Sequence, residues 1–508
     1  MDLGGVLALN SRRHPDKEAL VYEGRRYSYR EFNAQANRLA HVLLEMGVKK
    51  GDKVALMMQN SDRFCIAFFA IMKAGAVAVP MNFRLAPPEA QYVLENSESA
   101  VMIFDREYSP LVHEIRGHLP GVWYYIQAEG ESLESEVLEW DSVVEGKPET
   151  DPGVKVEEWD DCEILYTSGT TGRPKGALFD HHRIIHVGFN CCVFMGINPQ
   201  NRLLHVAPLF HSAELNLFLV SGTYVGATHV VHRAFDPRKV LQTLQDEKIS
   251  LFFGVPTMYN FMLQVPNLDG YDLSSVKRWG YGAAPMPPEL VRKAMEGIIN
   301  DQFYNLCGLT EAGPGGILLE PGDQLRKPGV GGKAIVNTES RVVDSEGCDV
   351  QPGQVGEWLL RGETIMKCYY RNPEATAEAI RDGWLYTGDL ATIDDEGYIT
   401  LVDRKKDMII TGGENVYSTE VEQVLYEFPG VLEAAVIGVH NPVWGETVTA
   451  VICPKPGVSI NAEELRAFCL KKLADYKVPR LFKFADLLPR NASGKVLKTR
   501  LREQYTGD

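Results

Sequence analysis

The sequence predicts an α/β protein: a large multi-subdomain N-terminal domain of βα-layered sheets with a small β-barrel-like part, followed by a small mobile α+β domain. Three observations predict it. Amphipathic helices alternate with short apolar strands up to about Gly332, the pattern of layered, largely parallel sheets. Glycine-rich turns then recur between short strands, as in VVDSEGCDVQPGQVGEWLLRG. From Arg404 to the end helices and strands alternate again, which suits a separate small domain.

The elements follow in order. Tyr29 to Met46 reads as a helix with Phe32, Leu39, Ala40, Leu43 and Leu44 on one face. Lys53 to Met58 and Ala76 to Pro80 are strands. The apolar run Phe64 to Pro80 is broken by Lys73 and Gly75 and is too short to span a bilayer comfortably. It reads as a buried helix and a buried strand. Glu89 to Glu95 is helical and Ala100 to Phe104 a strand, whereas Glu129 to Val156 is acidic, poorly patterned and read as a connection. Cys162 to Tyr166 is a strand. Leu203 to Pro208, Thr228 to Val231, Leu251 to Val255, Arg278 to Tyr281 and Gln302 to Tyr304 continue the series. Asp344 to Gly347 and Asp395 to Gly397 mark hairpin turns. In the last part Ser418 to Phe428 and Ala462 to Leu473 are helices, and Val431 to Val439 and Val448 to Cys453 strands. The charged run Asp403 to Asp407 sets the boundary, giving residues 1–402, a hinge at 403–406, and residues 407–508.

The chain has 508 residues and net charge −16, which argues against general nucleic-acid binding. Nine scattered cysteines without a C-x-x-C pair fit reduced thiols in a cytoplasmic protein. No cleavable apolar leader opens the sequence, and no integral membrane segment is expected. Lys471 to Arg502 holds ten basic residues against Asp475 and Asp486. Such a stretch suits polyanionic ligands or is a plain solvated face.

The densest chemical signal is Thr167 to Gly176, TSGTTGRPKG. Gly169, Gly172 and Gly176 let backbone N–H groups turn inward. Thr167, Ser168, Thr170 and Thr171 add hydroxyl donors and Lys175 a full charge. Together they form an anion nest for phosphate, a mobile surface turn being the plain alternative. It is not the G-x-x-x-x-G-K-[ST] loop that opens a helix, because Pro174 precedes the lysine and Gly176 follows it.

Six further segments accompany this loop: APLFHSAELN (207–216), YGAAPM (281–286), YNLCGLTE (304–311), GWLYTGDLA (383–391), DRKKDMIITGGENVYSTEVE (403–422) and PRNASGKVLKTRL (489–501). In content and order they resemble the adenylate-forming acyl-CoA synthetases, relatives of luciferases and peptide-synthetase adenylation domains. The resemblance covers nearly the whole chain. It implies that a carboxylate attacks the α-phosphate of ATP, giving acyl-AMP and pyrophosphate, and that the thiol of coenzyme A then displaces AMP. Catalysis of that kind is mainly positioning and charge neutralisation.

The resemblance also implies roles. The phosphate loop would hold the β- and γ-phosphates. Glu311, with Thr167, would place Mg²⁺, which favours hard oxygens, and Thr310 would contact the α-phosphate. Gly282, Ala283 and Ala284 would flank adenine, and Asn305 would meet its amino edge. Asp389 would hold the ribose diol with Arg404 nearby. Lys495 would bridge the α-phosphate and the carboxylate. Lys406 would be the hinge between half-reactions. Gly412 and Gly413 would line a pantetheine channel, Trp444 and Arg480 would meet coenzyme A, and His211 would gate the acyl pocket.

Two positions depart from the family. Cys307 stands where an aromatic ring usually stacks on adenine, a task that Tyr304 could take over. Glu214 stands where relatives often carry Gly; it either narrows or polarises the acyl pocket, or it points away and pairs elsewhere. His205 and His211 do not make a metal pair, since no cysteine or acid lies at ligand spacing. The expected activity is ligation of a medium- or long-chain fatty acid to coenzyme A. The alternatives are an aryl-CoA ligase and an acyl-AMP ligase loading a separate carrier protein. A homodimer is a further expectation. A binding protein that has lost catalysis is disfavoured by the presence of Lys495, Glu311 and Asp389.

Overall fold

The computed structural model describes residues 1–132, 134–167, 173–299, 301–490 and 496–505. Ser168, Gly169, Thr170, Thr171, Gly172 and Lys495 therefore lie outside the described residues. By compactness the chain forms two units. The first comprises Met1–Thr167, Pro174–Ser340 and Leu360–Leu385, and the second is built chiefly on Arg341–Leu359 and Tyr386–Asp508.

The first unit holds two large sheets. In the eight-stranded sheet, Asp161–Thr167, Val77–Pro80, Lys53–Met57, Ser99–Phe104, Tyr124–Gln127 and Val137–Glu139 run parallel in that spatial order. Lys175–Asp180 and Cys368–Tyr369 close one edge in antiparallel fashion. The nine-stranded sheet places Gln302–Gly308, Arg278–Gly282, Leu251–Gly254, Arg202–His205 and Thr228–Val231 side by side and parallel. The alternation of helices and apolar strands thus gives the layered architecture expected.

Local chemistry explains the elements. Helix Tyr29–Glu45 starts at a capping box: Ser28 Oγ accepts from the Glu31 amide and Glu31 Oε2 accepts from the Ser28 amide. Helix Asp62–Lys73 is capped by Ser61 Oγ on the Phe64 amide and is buried almost throughout, followed by the buried strand Val77–Pro80. The acidic stretch read as a mere connection contributes an edge strand, Val137–Glu139, and a short helix, Trp140–Val144. Three residues are too few to show an alternating pattern.

The nine-stranded sheet has a different apolar cluster on each face. One gathers Leu204, Phe252, Trp279 and Phe303 with helices Pro237–Asp246, Pro256–Leu263 and Pro288–Gly297. The other gathers Leu203, Phe253, Tyr304 and Leu306 with helix His181–Met195 and the segment Ala213–Val220. That segment is a π-helix, a rare i→i+5 winding found mostly at functional sites.

In the second unit Trp384–Ile393 and Ile399–Arg404 form an antiparallel hairpin. Its turn is held by Asp394 Oδ1, which accepts from the amides of Glu396 and Tyr398. A small sheet follows in the order Glu414–Val416, Ile409–Thr411, Gly445–Pro454 and Val431–Asn441, with Leu481–Phe484 parallel to Gly445–Pro454. Helices Ser418–Tyr426 and Ala462–Leu470 cover one apolar cluster and Lys498–Tyr505 another.

Candidate active site

Strands Asp161–Thr167 and Lys175–Asp180 pair antiparallel, with Thr167 opposite Lys175. The glycine-rich segment therefore joins two neighbouring strands and opens no helix. Thr167 Oγ1 lies 3.4 Å from the Lys175 carbonyl, to which it donates. The Lys175 ammonium sits 4.9 Å from the centre of the Tyr369 ring. The Tyr369 hydroxyl donates at 2.8 Å to Glu311 Oε1. One buried tyrosine thus joins the loop lysine to the carboxylate expected at the metal. Tyr369 was not legible in the sequence; a tyrosine in MKCYY carries no spacing signal.

Glu311 lies in the short 3₁₀ turn Thr310–Ala312, and its carbonyl accepts from the Met366 amide at 2.8 Å. The Thr310 hydroxyl is 3.3 Å from Ser212 Oγ, a second partner the sequence did not flag. Half-buried carboxylate and hydroxyl oxygens suit Mg²⁺ chemically, since that ion takes one or two carboxylates plus phosphate oxygens. No cluster of three metal-ligating side chains exists among the described residues.

Gly282 ends strand Arg278–Gly282 beside Leu306 and, one register position earlier, Tyr281 faces Asn305. A Cβ on Gly282 would stand 2.3 Å from the Leu306 carbonyl oxygen, so only glycine fits. Ala283 adopts φ +65°, and both it and Ala284 are exposed. Asn305 Nδ2 donates to the Val330 carbonyl at 3.1 Å. Cys307 is half-buried and lies on the same strand face as Asn305. Tyr304 projects to the opposite face, is 6% exposed among the apolar cluster, and donates its hydroxyl to Gln302 Oε1. It is therefore not placed to replace the missing ring.

His211 is half-buried beside Phe210, and desolvation holds its imidazole below the ordinary range. Glu214, three residues on, is buried with Oε1 2.6 Å from His205 Nδ1. Of the two sequence readings, pairing elsewhere is the one observed. Burial raises its pKa while His205 opposes the rise.

In the second unit Asp389 and Arg404 are register partners across the hairpin, with Arg404 Nε 3.1 Å from Asp389 Oδ1. Lys406 is exposed in a tight turn where the amides of Asp407 and Met408 both donate to the Arg404 carbonyl. Just before it, Asp403 Oδ2 accepts from the amide and hydroxyl of Ser418. Gly412 and Gly413 have φ +60° and +87°, the left-handed region that favours glycine. The Gly412 amide donates to the Trp444 carbonyl, and the Arg480 guanidinium lies 4.0 Å from the centre of the Trp444 ring. Arg490 and Val496 bridge in antiparallel fashion on either side of the lysine motif.

Residues 7–370 match the family model described as AMP-binding enzyme, and residues 420–495 match its C-terminal domain. The chain belongs to this family. It is an AMP-forming acyl-CoA synthetase, an adenylate-forming enzyme. It is 39% identical to a feruloyl-CoA synthase of Amycolatopsis sp over 99% of both chains. It is 38% identical to the long-chain-fatty-acid–CoA ligase FadD13 of Mycobacterium tuberculosis, over 95% of this chain and 93% of the relative. The fold is similar to that of the anthranilate CoA ligase AuaEII in complex with anthranoyl-AMP, with TM-score 0.92 and 31% identity over 99% and 97% of the two chains. Among the described residues no helix of the synthetase is long and apolar enough to cross a membrane.

Proposed function

We propose that this acyl-CoA synthetase activates a medium- or long-chain fatty acid with ATP and Mg²⁺ and passes the acyl group from acyl-AMP to coenzyme A. The observation that supports the roles best is the Lys175–Tyr369–Glu311 cluster. A cation, a hydroxyl and a carboxylate converge there beside Thr167. Lys175 offsets phosphate charge, Tyr369 orients Glu311, and Glu311 with Thr167 holds the metal. Bound Mg²⁺ would supply charge neutralisation at the phosphates.

Thr310 steadies the α-phosphate. Gly282, Ala283, Ala284 and Asn305 receive the adenine, and Asp389 with Arg404 the ribose. Ser168, Gly169, Thr170, Thr171 and Gly172 complete the phosphate nest. Lys495 balances charge between the carboxylate and the α-phosphate. Lys406 is the hinge of a division into residues 1–402 and 407–508. Gly412, Gly413, Trp444 and Arg480 receive coenzyme A, the stacked ring and guanidinium suiting a planar, anionic headgroup. His211 gates the acid. The enzyme works in the cytoplasm, as a homodimer.

The similarity to the long-chain-fatty-acid–CoA ligase FadD13 of Mycobacterium tuberculosis supports a fatty acid as the substrate. A second reading, an aryl acid, is favoured by the similarity to a feruloyl-CoA synthase and to the fold of an anthranilate CoA ligase. Pyrophosphate release with a panel of fatty, benzoic and cinnamic acids, with and without coenzyme A, tests both. A peak among aliphatic acids, boosted by coenzyme A, supports the first reading. A peak among aromatic acids replaces it with the second. Release unaffected by coenzyme A but stimulated by a carrier protein overturns the choice of acceptor.

A further inference from the structure

The π-helix that follows the gate histidine carries two buried polar side chains on an otherwise apolar segment. Glu214 and Asn216 are 1% and 0% exposed. Each reaches a different sheet. Glu214 Oε1 is 2.6 Å from His205 Nδ1 at the end of strand Arg202–His205 in the nine-stranded sheet. Asn216 Nδ2 donates at 2.6 Å to Glu163 Oε1 on strand Asp161–Thr167 in the eight-stranded sheet. The first tether continues: His205 Nε2 is 2.9 Å from His229 Nδ1, and His229 Nε2 is 3.1 Å from Thr223 Oγ1. Thr223 lies in Ser221–Val225, the helix that follows the π-helix directly. A Cβ on Gly222 would lie 2.4 Å from His229 Cε1, so the imidazole occupies space that only glycine leaves.

The second tether is electrically quiet. Burial pushes Glu163 up to about 8, so it is a neutral acid at pH 7. Its protonated oxygen is a donor, and neither Glu163 Oε2 nor Asn216 Oδ1 has a hydrogen-bond partner among the described residues. Such an acid–amide pair adds no charge to the interior.

These tethers bear on the reaction through the residue at the start of the π-helix. Ser212, 3% exposed, places Oγ 3.3 Å from the Thr310 hydroxyl, next to Glu311. His211 precedes it. An eight-residue π-helix is an unfavourable winding that the surrounding structure must impose. The two tethers hold polar side chains of that winding to strands of both sheets, two and four residues beyond Ser212.

We propose that Glu214 is a positioning residue for acid activation. With His205, His229 and the Asn216–Glu163 pair it fixes the winding of the π-helix and so holds Ser212 against Thr310. This rests on the acid-activating function proposed above. Glu214 acts as an acceptor for His205 and does not contact the acid.

The test is a double-mutant cycle of Glu214→Leu and Ser212→Ala, read in single-turnover formation of acyl-AMP and in the KM for coenzyme A. Each single variant is expected to slow acyl-AMP formation by about tenfold with the KM for coenzyme A unchanged, and the double variant to be no slower than the worse single one. Glu214→Gln, which keeps an oxygen for the His205 N–H, is expected to stay within about threefold of the parent. Additive losses overturn the proposal, as does a Glu214→Gln variant as slow as Glu214→Leu. A large rise in the KM for only one class of acid also overturns it, by making Glu214 a substrate contact. If Glu214→Leu does not fold, His205→Gln with Ser212→Ala carries the same cycle. A parent enzyme that forms no acyl-AMP defeats the underlying function instead, a result distinguishable from any of these.

Discussion

Replacing Tyr369 by Phe removes one atom, the hydroxyl that donates at 2.8 Å to Glu311 Oε1. A hydrogen bond to a charged group contributes about 1.5–3 kcal/mol. Glu311 is half-buried, so water recovers part of this, and about 1–2 kcal/mol is the expected loss. If the bond matters equally in the transition state, kcat/KM for ATP falls about 5- to 30-fold. Tyr369→Ala also removes the ring under the Lys175 ammonium, 4.9 Å away. A cation–π contact contributes about 0.5–2 kcal/mol, which adds a further loss of about 2- to 30-fold. The assay is pyrophosphate release at varied ATP and Mg²⁺, with thermal unfolding as a control. The Mg²⁺ requirement should rise in Tyr369→Phe, because the proposed metal carboxylate has lost its orienting partner. A Tyr369→Phe variant with parental kcat/KM and parental Mg²⁺ dependence would refute the link between this hydroxyl and the metal.

Lys495→Ala is expected to abolish acyl-AMP formation while leaving thiolysis of supplied acyl-AMP largely intact; stopped-flow measurement of each half-reaction decides, and equal losses reject the role. Lys406→Pro stiffens the turn at Arg404 and should spare adenylation but block thioester formation, so unchanged overall turnover rejects the hinge. Cys307→Tyr should lower the KM for ATP if a missing stacked ring weakens adenine binding, and an unchanged KM means adenine is held without it. The native Glu163 keeps its proton to about pH 8, whereas an unfolded glutamate loses it near 4.3. The native state therefore binds more protons between these values, and stability falls as pH rises through that window. Glu163→Gln should flatten this fall in Tm between pH 5.5 and 8, and a parallel slope in both proteins would show that Glu163 does not cause it.

Much of the fold was written in the sequence because its elements are long or strongly patterned. The capped helix from Tyr29, the buried helix from Asp62 and the central parallel strands appear where periodicity placed them. The edge strand Val137–Glu139 escaped because three residues carry no period. The π-helix escaped because its sequence, AELNLFLV, is apolar all round, and winding there is decided by buried partners distant in the chain. Within the site, motif order located Glu311, Asp389 and Arg404, and Asp389 and Arg404 do meet. Tyr369 and Ser212 were missed for one reason: each acts through a hydrogen bond to a motif residue in another segment. The Glu214 question was posed by the sequence and answered only by His205, nine residues upstream on a strand.

The register of Thr167 against Lys175 has a mechanical corollary. Both ends of the phosphate loop are pinned to the same rung of one ladder. Any load carried by the intervening residues enters the sheet at this one rung, and the paired rungs behind it, Tyr166 with Gly176 and Leu165 with Ala177, share it between the two strands. A polyphosphate held there as proposed would load this antiparallel pair before the parallel strands beyond it. Loop substitutions are thus expected to change affinity and turnover more than the melting of the large unit, which thermal unfolding checks.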